Sequence, residues 1–116
     1  MKLSEILNPP NENDINLDIN DFDTVFSHEG FAYIKTLKCK QMNKCLEKIK
    51  NFKFNPKGVI VKFKINDDFP LIEIEKFMEF IYEISDEDAD IIFGNETVEN
   101  EEIEINLIFT GINVKD

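Results

Sequence analysis

Val59-Ile60-Val61-Lys62-Phe63-Lys64-Ile65 is the clearest strand in the sequence. It opens apolar and β-branched, then alternates Lys with Phe and Ile, the period of two that an extended chain with two unlike faces requires. Asn55-Pro56-Lys57-Gly58 before it reads as a turn. After it, Asn66-Asp67-Asp68 reads as a helix cap, with Pro70 near the first turn, where proline is tolerated. Leu71, Ile74, Phe77, Met78, Ile81 and Tyr82 then recur at helical spacing, with Glu73, Glu75, Glu79 and Glu83 mostly opposite. Ser85 to Asp88 closes that helix, and Ala89 to Gly94 reads as a short buried strand. A strand-helix-strand unit of this kind implies a parallel pair with a right-handed crossover.

Working outward, Gly30 to Leu37 is rich in aromatic and β-branched residues and reads as a strand. Lys40 to Phe52 reads as a helix, with Met42, Cys45, Leu46 and Ile49 on one face and lysines on the other. Downstream, an acidic turn over Asn95–Glu101 leads to a last strand. There Ile103, Ile105, Leu107 and Phe109 alternate with Glu104, Asn106 and Ile108 before Thr110-Gly111-Ile112. At the other end, residues 2–8 place Leu3, Ile6 and Leu7 on one helical face, and Pro9-Pro10 stops that helix. Asn11 to Asp14 is a polar turn. Asp18 suits an N-cap, Asp21 lies near the positive helix end, and Phe22, Val25 and Phe26 form the apolar stripe of the helix that follows.

The expected order is a leading helix followed by β-α-β-α-β-β. This predicts an α+β two-layer domain, a mixed four-stranded sheet with helices packed on one face. The last two strands, joined by a turn of about seven residues, can pair as an antiparallel hairpin, unless each finds another neighbour. The expected division is a connecting helix and turn over 1–14 and one domain over 15–116.

With 116 residues the chain holds one core and not two, and eleven phenylalanines supply it amply. No apolar run approaches the ~20 residues of a bilayer span, and the start has no signal-peptide core, so the expected location is cytoplasmic, with no direct membrane contact. Cys39 and Cys45, six apart and far in sequence from His28, lack metal-ligand spacing and are expected as free thiols, in keeping with a reducing compartment. The net charge of −11 argues against nucleic acid as a partner. It is unevenly spread: residues 35–64 carry +9 and the rest −20. The lysine-rich segment suits either a solvated face or an acidic protein surface, including another copy of this chain, so a homo-oligomer is open. The acidic run Asp86-Glu87-Asp88-Asp90 lacks the glycine and terminal glutamate of a calcium loop and reads as a solvated turn, and no metal or cofactor is implied. His28 reads as a surface histidine at a helix end.

Several short blocks resemble the C-terminal domain of the FtsZ family, the bacterial tubulin homologues of cell division. Asn16-Leu17-Asp18-x-x-Asp21 resembles the family's synergy loop, and Thr24 to Gly30 resembles its next helix. Gly58 to Val61, Ser85-x-x-x-Asp88-Ala89-Asp90 to Gly94, and Phe109-Thr110-Gly111-Ile112 resemble three of its strands. Leu3 to Leu7 is similar to the tail of its central helix. Departures accompany the match: Asn13 stands where the family has glycine, and the stretch Leu37–Phe54 is contracted. The family's nucleotide-binding domain should precede this region, and the expectation from these 116 residues is a stand-alone domain without it. The four scattered glycines cannot cradle phosphates.

In a tubulin-like filament one subunit holds the phosphates and the next supplies carboxylates that position the attacking water. Phosphoryl transfer depends mainly on positioning and electrostatics, so two oriented acids are what the partner must provide. The resemblance assigns this role, in trans only, to Asp18 and Asp21, with Asn16 as a contact on the nucleotide side. Helix capping satisfies the same spacing without catalysis, and both roles stay open. Three functions follow as expectations. The first is a non-enzymatic module that docks on FtsZ or another tubulin-like GTPase and modulates its polymerisation. The second is the C-terminal half of a split or truncated FtsZ-like GTPase. The third is a small chorismate-mutase-like enzyme, which shares the strand-helix order but would want arginine for an anionic substrate, and this chain has none.

Overall fold

The computed structural model describes residues 19–52 and 55–112, with backbone alone for 19–22. The expected helix over 2–8, its Pro9-Pro10 stop, the connecting segment 1–14 and the Asp18 cap lie outside these residues. The elements run α1 (Ile19–Phe26), β1 (Phe31–Cys39), α2 (Met42–Ile49), β2 (Gly58–Ile65), α3 (Leu71–Ile84), β3 (Asp90–Thr97) and β4 (Ile103–Ile112). This is the expected α+β order around a mixed four-stranded sheet.

The strand order is β1-β4-β2-β3. β2 and β3 are parallel, Val61 opposite Phe93, as a crossover through α3 requires. The hairpin open to β3 and β4 does not form. β4 instead runs antiparallel to both β1 and β2, with Leu107 opposite Lys35 on one side and Val61 on the other. The reason is burial: from Ile105 to Ile112 every residue of β4 is buried, on both faces, and only an interior strand can bury both. β3 is therefore an edge strand reaching Thr97, half-exposed for most of its length, rather than the short buried strand expected over 89–94.

One face of the sheet packs under α2 and α3. Val59, Val61, Phe63 and Ile65 of β2 meet Ile103, Ile105, Leu107 and Phe109 of β4 there, the period of two read directly from the sequence. α3 seats Ile74, Phe77, Met78 and Ile81 on them, and Phe77 meets Phe63 edge to face at 5.6 Å. Tyr33, Phe52 and Phe109 close the other end of the layer, with Phe52 and Phe109 centroids 4.6 Å apart. Near the end of β4 one extra residue intervenes between the Phe109–Tyr33 and Ile112–Phe31 pairs. Gly111 takes the left-handed φ of +66° this bulge needs, and Ile112 returns to the core.

Two expectations are corrected. Asn66-Asp67-Asp68 does not cap α3. Asn66 accepts the Asp68 N–H at 3.1 Å in a turn of its own, and Pro70 occupies the cap position without a side-chain bond. Cys39 and Cys45 are not free thiols but a disulfide. The end of β1 and the middle of α2 both point into the core across a turn of two residues, which brings their Cα atoms to 5.7 Å, within bonding reach. The argument from free thiols to a reducing compartment falls with that expectation. Among the described residues no helix is long and apolar enough to cross a membrane.

Candidate functional site

The second face of the sheet carries α1, so the helices do not all share one side. Val25, fully buried, packs on Ile60 of β2 and Ile108 of β4, with Ile92 of β3 beside them. Val25 is the apolar anchor expected of this helix, whereas Phe26 is 43% exposed. Of the predicted site residues, Asn16 and Asp18 lie outside the described residues. Asp21 is placed by its backbone as the third residue of α1. Asp23, two positions on, is exposed.

The C-terminal end of α1 is fastened to the sheet by side chains far apart in sequence. An α-helix leaves its last carbonyls without internal partners. The Thr110 hydroxyl, 85 residues downstream and buried, donates to one of them, the carbonyl of Val25. Ser27 Oγ donates to the Thr24 carbonyl at 2.7 Å. His28 Nε2 and Asp90 Oδ2 are 2.8 Å apart, a bond from the turn after α1 to the first residue of β3. The expected surface histidine is thus half-buried and structural. Gly58 lies beneath this junction: a Cβ there would stand 2.9 Å from the Val25 carbonyl oxygen and 3.1 Å from His28 Cδ2, besides meeting the Thr110 hydroxyl. Gly111 is excluded from bearing a side chain twice over, by its φ and by Lys57 Cβ, 2.8 Å from where its own Cβ would be.

Of the blocks on which the family resemblance rests, those over 3–7 and 16–18 lie outside the described residues, and those between Thr24 and Ile112 each bring a residue to this junction. Thr24 to Gly30 supplies the helix end and His28; Gly58, Asp90, Thr110 and Gly111 supply the seat. The sequence singled these residues out one block at a time. It did not say that they hold one another, because their contacts span up to 85 residues.

Beyond Val25 the same face turns polar. Lys62 pairs with Glu96 at 3.1 Å, Lys64 with Glu104 at 3.2 Å, and Lys38 reaches the same Glu104 at 3.7 Å. The opposite charges of the lysine-rich and acidic segments therefore meet within the chain at these positions. The Asp86 carboxylate accepts from the Asp88 N–H at 2.9 Å and from the Asn55 amide at 3.3 Å, which makes the acidic run a turn, and among the described residues no group of His, Cys, Asp or Glu is arranged to hold a metal ion. All four glycines serve strands or turns, at positions 30, 58, 94 and 111.

Residues 36–113 match a family model described as the FtsZ family, C-terminal domain. Among solved structures the chain is similar to an empty FtsZ dimer from M. jannaschii, at 22% identity and a TM-score of 0.69 over 84% of this chain and 32% of that one. It is also similar to TubZ of Bacillus thuringiensis serovar israelensis in GDP-form protofilaments, at 13% identity and a TM-score of 0.73 over 94% of this chain and 33% of that one. A helical model of the TubZ-Bt four-stranded filament gives 14% identity and a TM-score of 0.70 over 97% and 32%. At these identities the likeness is one of fold. The chain spans about a third of the length of each of these structures. No curated protein matches it in sequence. With two thirds of its residues inside the family model, the chain belongs to the FtsZ family through its C-terminal domain.

Proposed function

We propose that this domain is a non-enzymatic binding module that docks on an FtsZ-type or other tubulin-like GTPase and modulates its polymerisation. The observation that carries this is the anchoring of α1. Thr110, Gly58 and the His28–Asp90 bond fix the end of the helix that holds Asp21 in its first turn and follows Asn16 and Asp18 in sequence. The fastening satisfies a helix-end carbonyl and at the same time holds the helix at a fixed angle to the sheet. A loop that must meet a partner's nucleotide in register gains from being held so, because positioning errors of about 1 Å cost catalysis in trans heavily. Asp18 and Asp21 would face the partner's phosphates, and Asn16 would contact the nucleotide side. The four glycines lie in strands and turns among the described residues, which is in keeping with a partner supplying the phosphate site.

A GTPase and pelleting assay with the FtsZ-type GTPase of the source organism tests this. Excess wild-type chain should change turnover or pelleted mass, and Asp18→Ala/Asp21→Ala should abolish the change. No effect of wild type at excess, together with no binding, would refute it. The split-GTPase alternative predicts stimulation from near zero on mixing with a separate nucleotide domain, whereas a capping module lowers pelleted mass at substoichiometric ratio.

A further inference from the structure

α3 carries two apolar stripes. One, through Phe77 and Ile81, is buried against the sheet. The other, Leu71 and Tyr82 with Phe93 of the neighbouring edge strand, lines an open trough of about 470 Å³, with the buried Ile74 and Met78 in its floor. Leu71 is 67% exposed, Tyr82 57% and Phe93 39%. A helix apolar on more than one stripe normally buries both, and a contiguous exposed apolar patch with a polar rim marks an interaction surface. The charges on the rim have one sign. Glu75 and Glu79 flank the trough, both exposed, and among the described residues neither is in an ion pair. A smaller cavity shares Leu71, Ile74 and Phe93 and extends the trough toward Asp67. No lysine lines either cavity.

We infer that this trough is a docking site for a basic amphipathic helix of a partner protein. Apolar side chains one turn apart would enter between Tyr82, Met78 and Phe93, with lysine or arginine beside them facing Glu75 and Glu79. The charge pattern selects this occupant. An acidic segment is repelled, and an uncharged apolar one gains nothing from the two carboxylates. None of the residues lining the trough is one on which the function proposed above rests, so the two readings are tested independently.

The test uses the full chain and two labelled synthetic peptides of about sixteen residues, one with leucines at helical i, i+4, i+7 spacing and lysines elsewhere, the other with glutamates for the lysines. Fluorescence anisotropy should show saturable binding of the lysine peptide only. Glu75→Lys/Glu79→Lys should weaken it about tenfold or more, since two attractive contacts become repulsive. Glu29→Lys/Glu87→Lys, equal in net charge and at residues that do not line the trough, should leave it within about twofold. Tyr82→Ala/Phe93→Ser should weaken it without changing its salt dependence. Equal losses for the two charge reversals, or no saturable binding by wild type, would overturn the inference.

Discussion

Thr110→Val isolates the junction that orients α1. The substitution keeps the shape of the side chain and removes only the hydroxyl, which is buried and donates to the carbonyl of Val25. The carbonyl is left at a helix end, against the apolar cluster of Val25, Ile60 and Ile108. Losing one bond and stranding a buried acceptor costs about 1–3 kcal/mol. For a domain of this size that is a fall in Tm of about 4–12 °C. Urea unfolding followed by circular dichroism gives the global change. Amide hydrogen exchange gives the local one, and loss of protection should be greatest over α1 and smallest over β2 and β4. A stability within about 0.5 kcal/mol of wild type, or a loss of protection spread evenly over the sheet, would refute the assignment of this hydroxyl as the tie between helix and sheet.

Gly58→Ala attacks the same junction by crowding: its Cβ would lie 2.9 Å from the Val25 carbonyl oxygen, and a loss of about 1–3 kcal/mol in urea unfolding is expected. Phe77→Ala empties the centre of the core, where the ring is fully buried against Phe63, and should cost about 3–5 kcal/mol in the same assay. The Cys39–Cys45 disulfide closes a short loop, and its reduction should remove about 2 kcal/mol. Protein purified without reductant and then denatured should show no reactive thiol before reduction and two after it; two before reduction would contradict the bond.

What the sequence disclosed follows from which interactions are local. β2 and α3 were legible because their signals, alternation from Val61 to Ile65 and the stripe from Leu71 to Tyr82, lie within one element. The pairing of β4 was not, since a turn of suitable length before Ile103 makes a hairpin equally acceptable locally. The deciding signal was the apolar run Leu107-Ile108-Phe109, where strict alternation gives way, which marks a strand buried on both faces. The disulfide escaped for the opposite reason: a spacing of six says nothing until β1 and α2 fold onto one core. The helix over 40–52 is shorter at both ends, Met42–Ile49. At the candidate site, spacing singled out Asp21 and the resemblance singled out the Thr24–Gly30, Gly58 and Thr110-Gly111 blocks. Their meeting at one junction depends on sheet topology that no single block contains.

The central claim is that the loop borne by this anchored helix recognises a partner's nucleotide face. Sedimentation velocity of the full chain with the GTP-bound FtsZ-type GTPase of the source organism tests it most directly. Wild type should form a complex. Asp18→Ala/Asp21→Ala should weaken that complex about tenfold or more, and Thr110→Val, which frees the helix end without touching the loop, should weaken it by a smaller factor. A complex of undiminished affinity with the double alanine variant, or no complex with wild type at excess, would contradict the account.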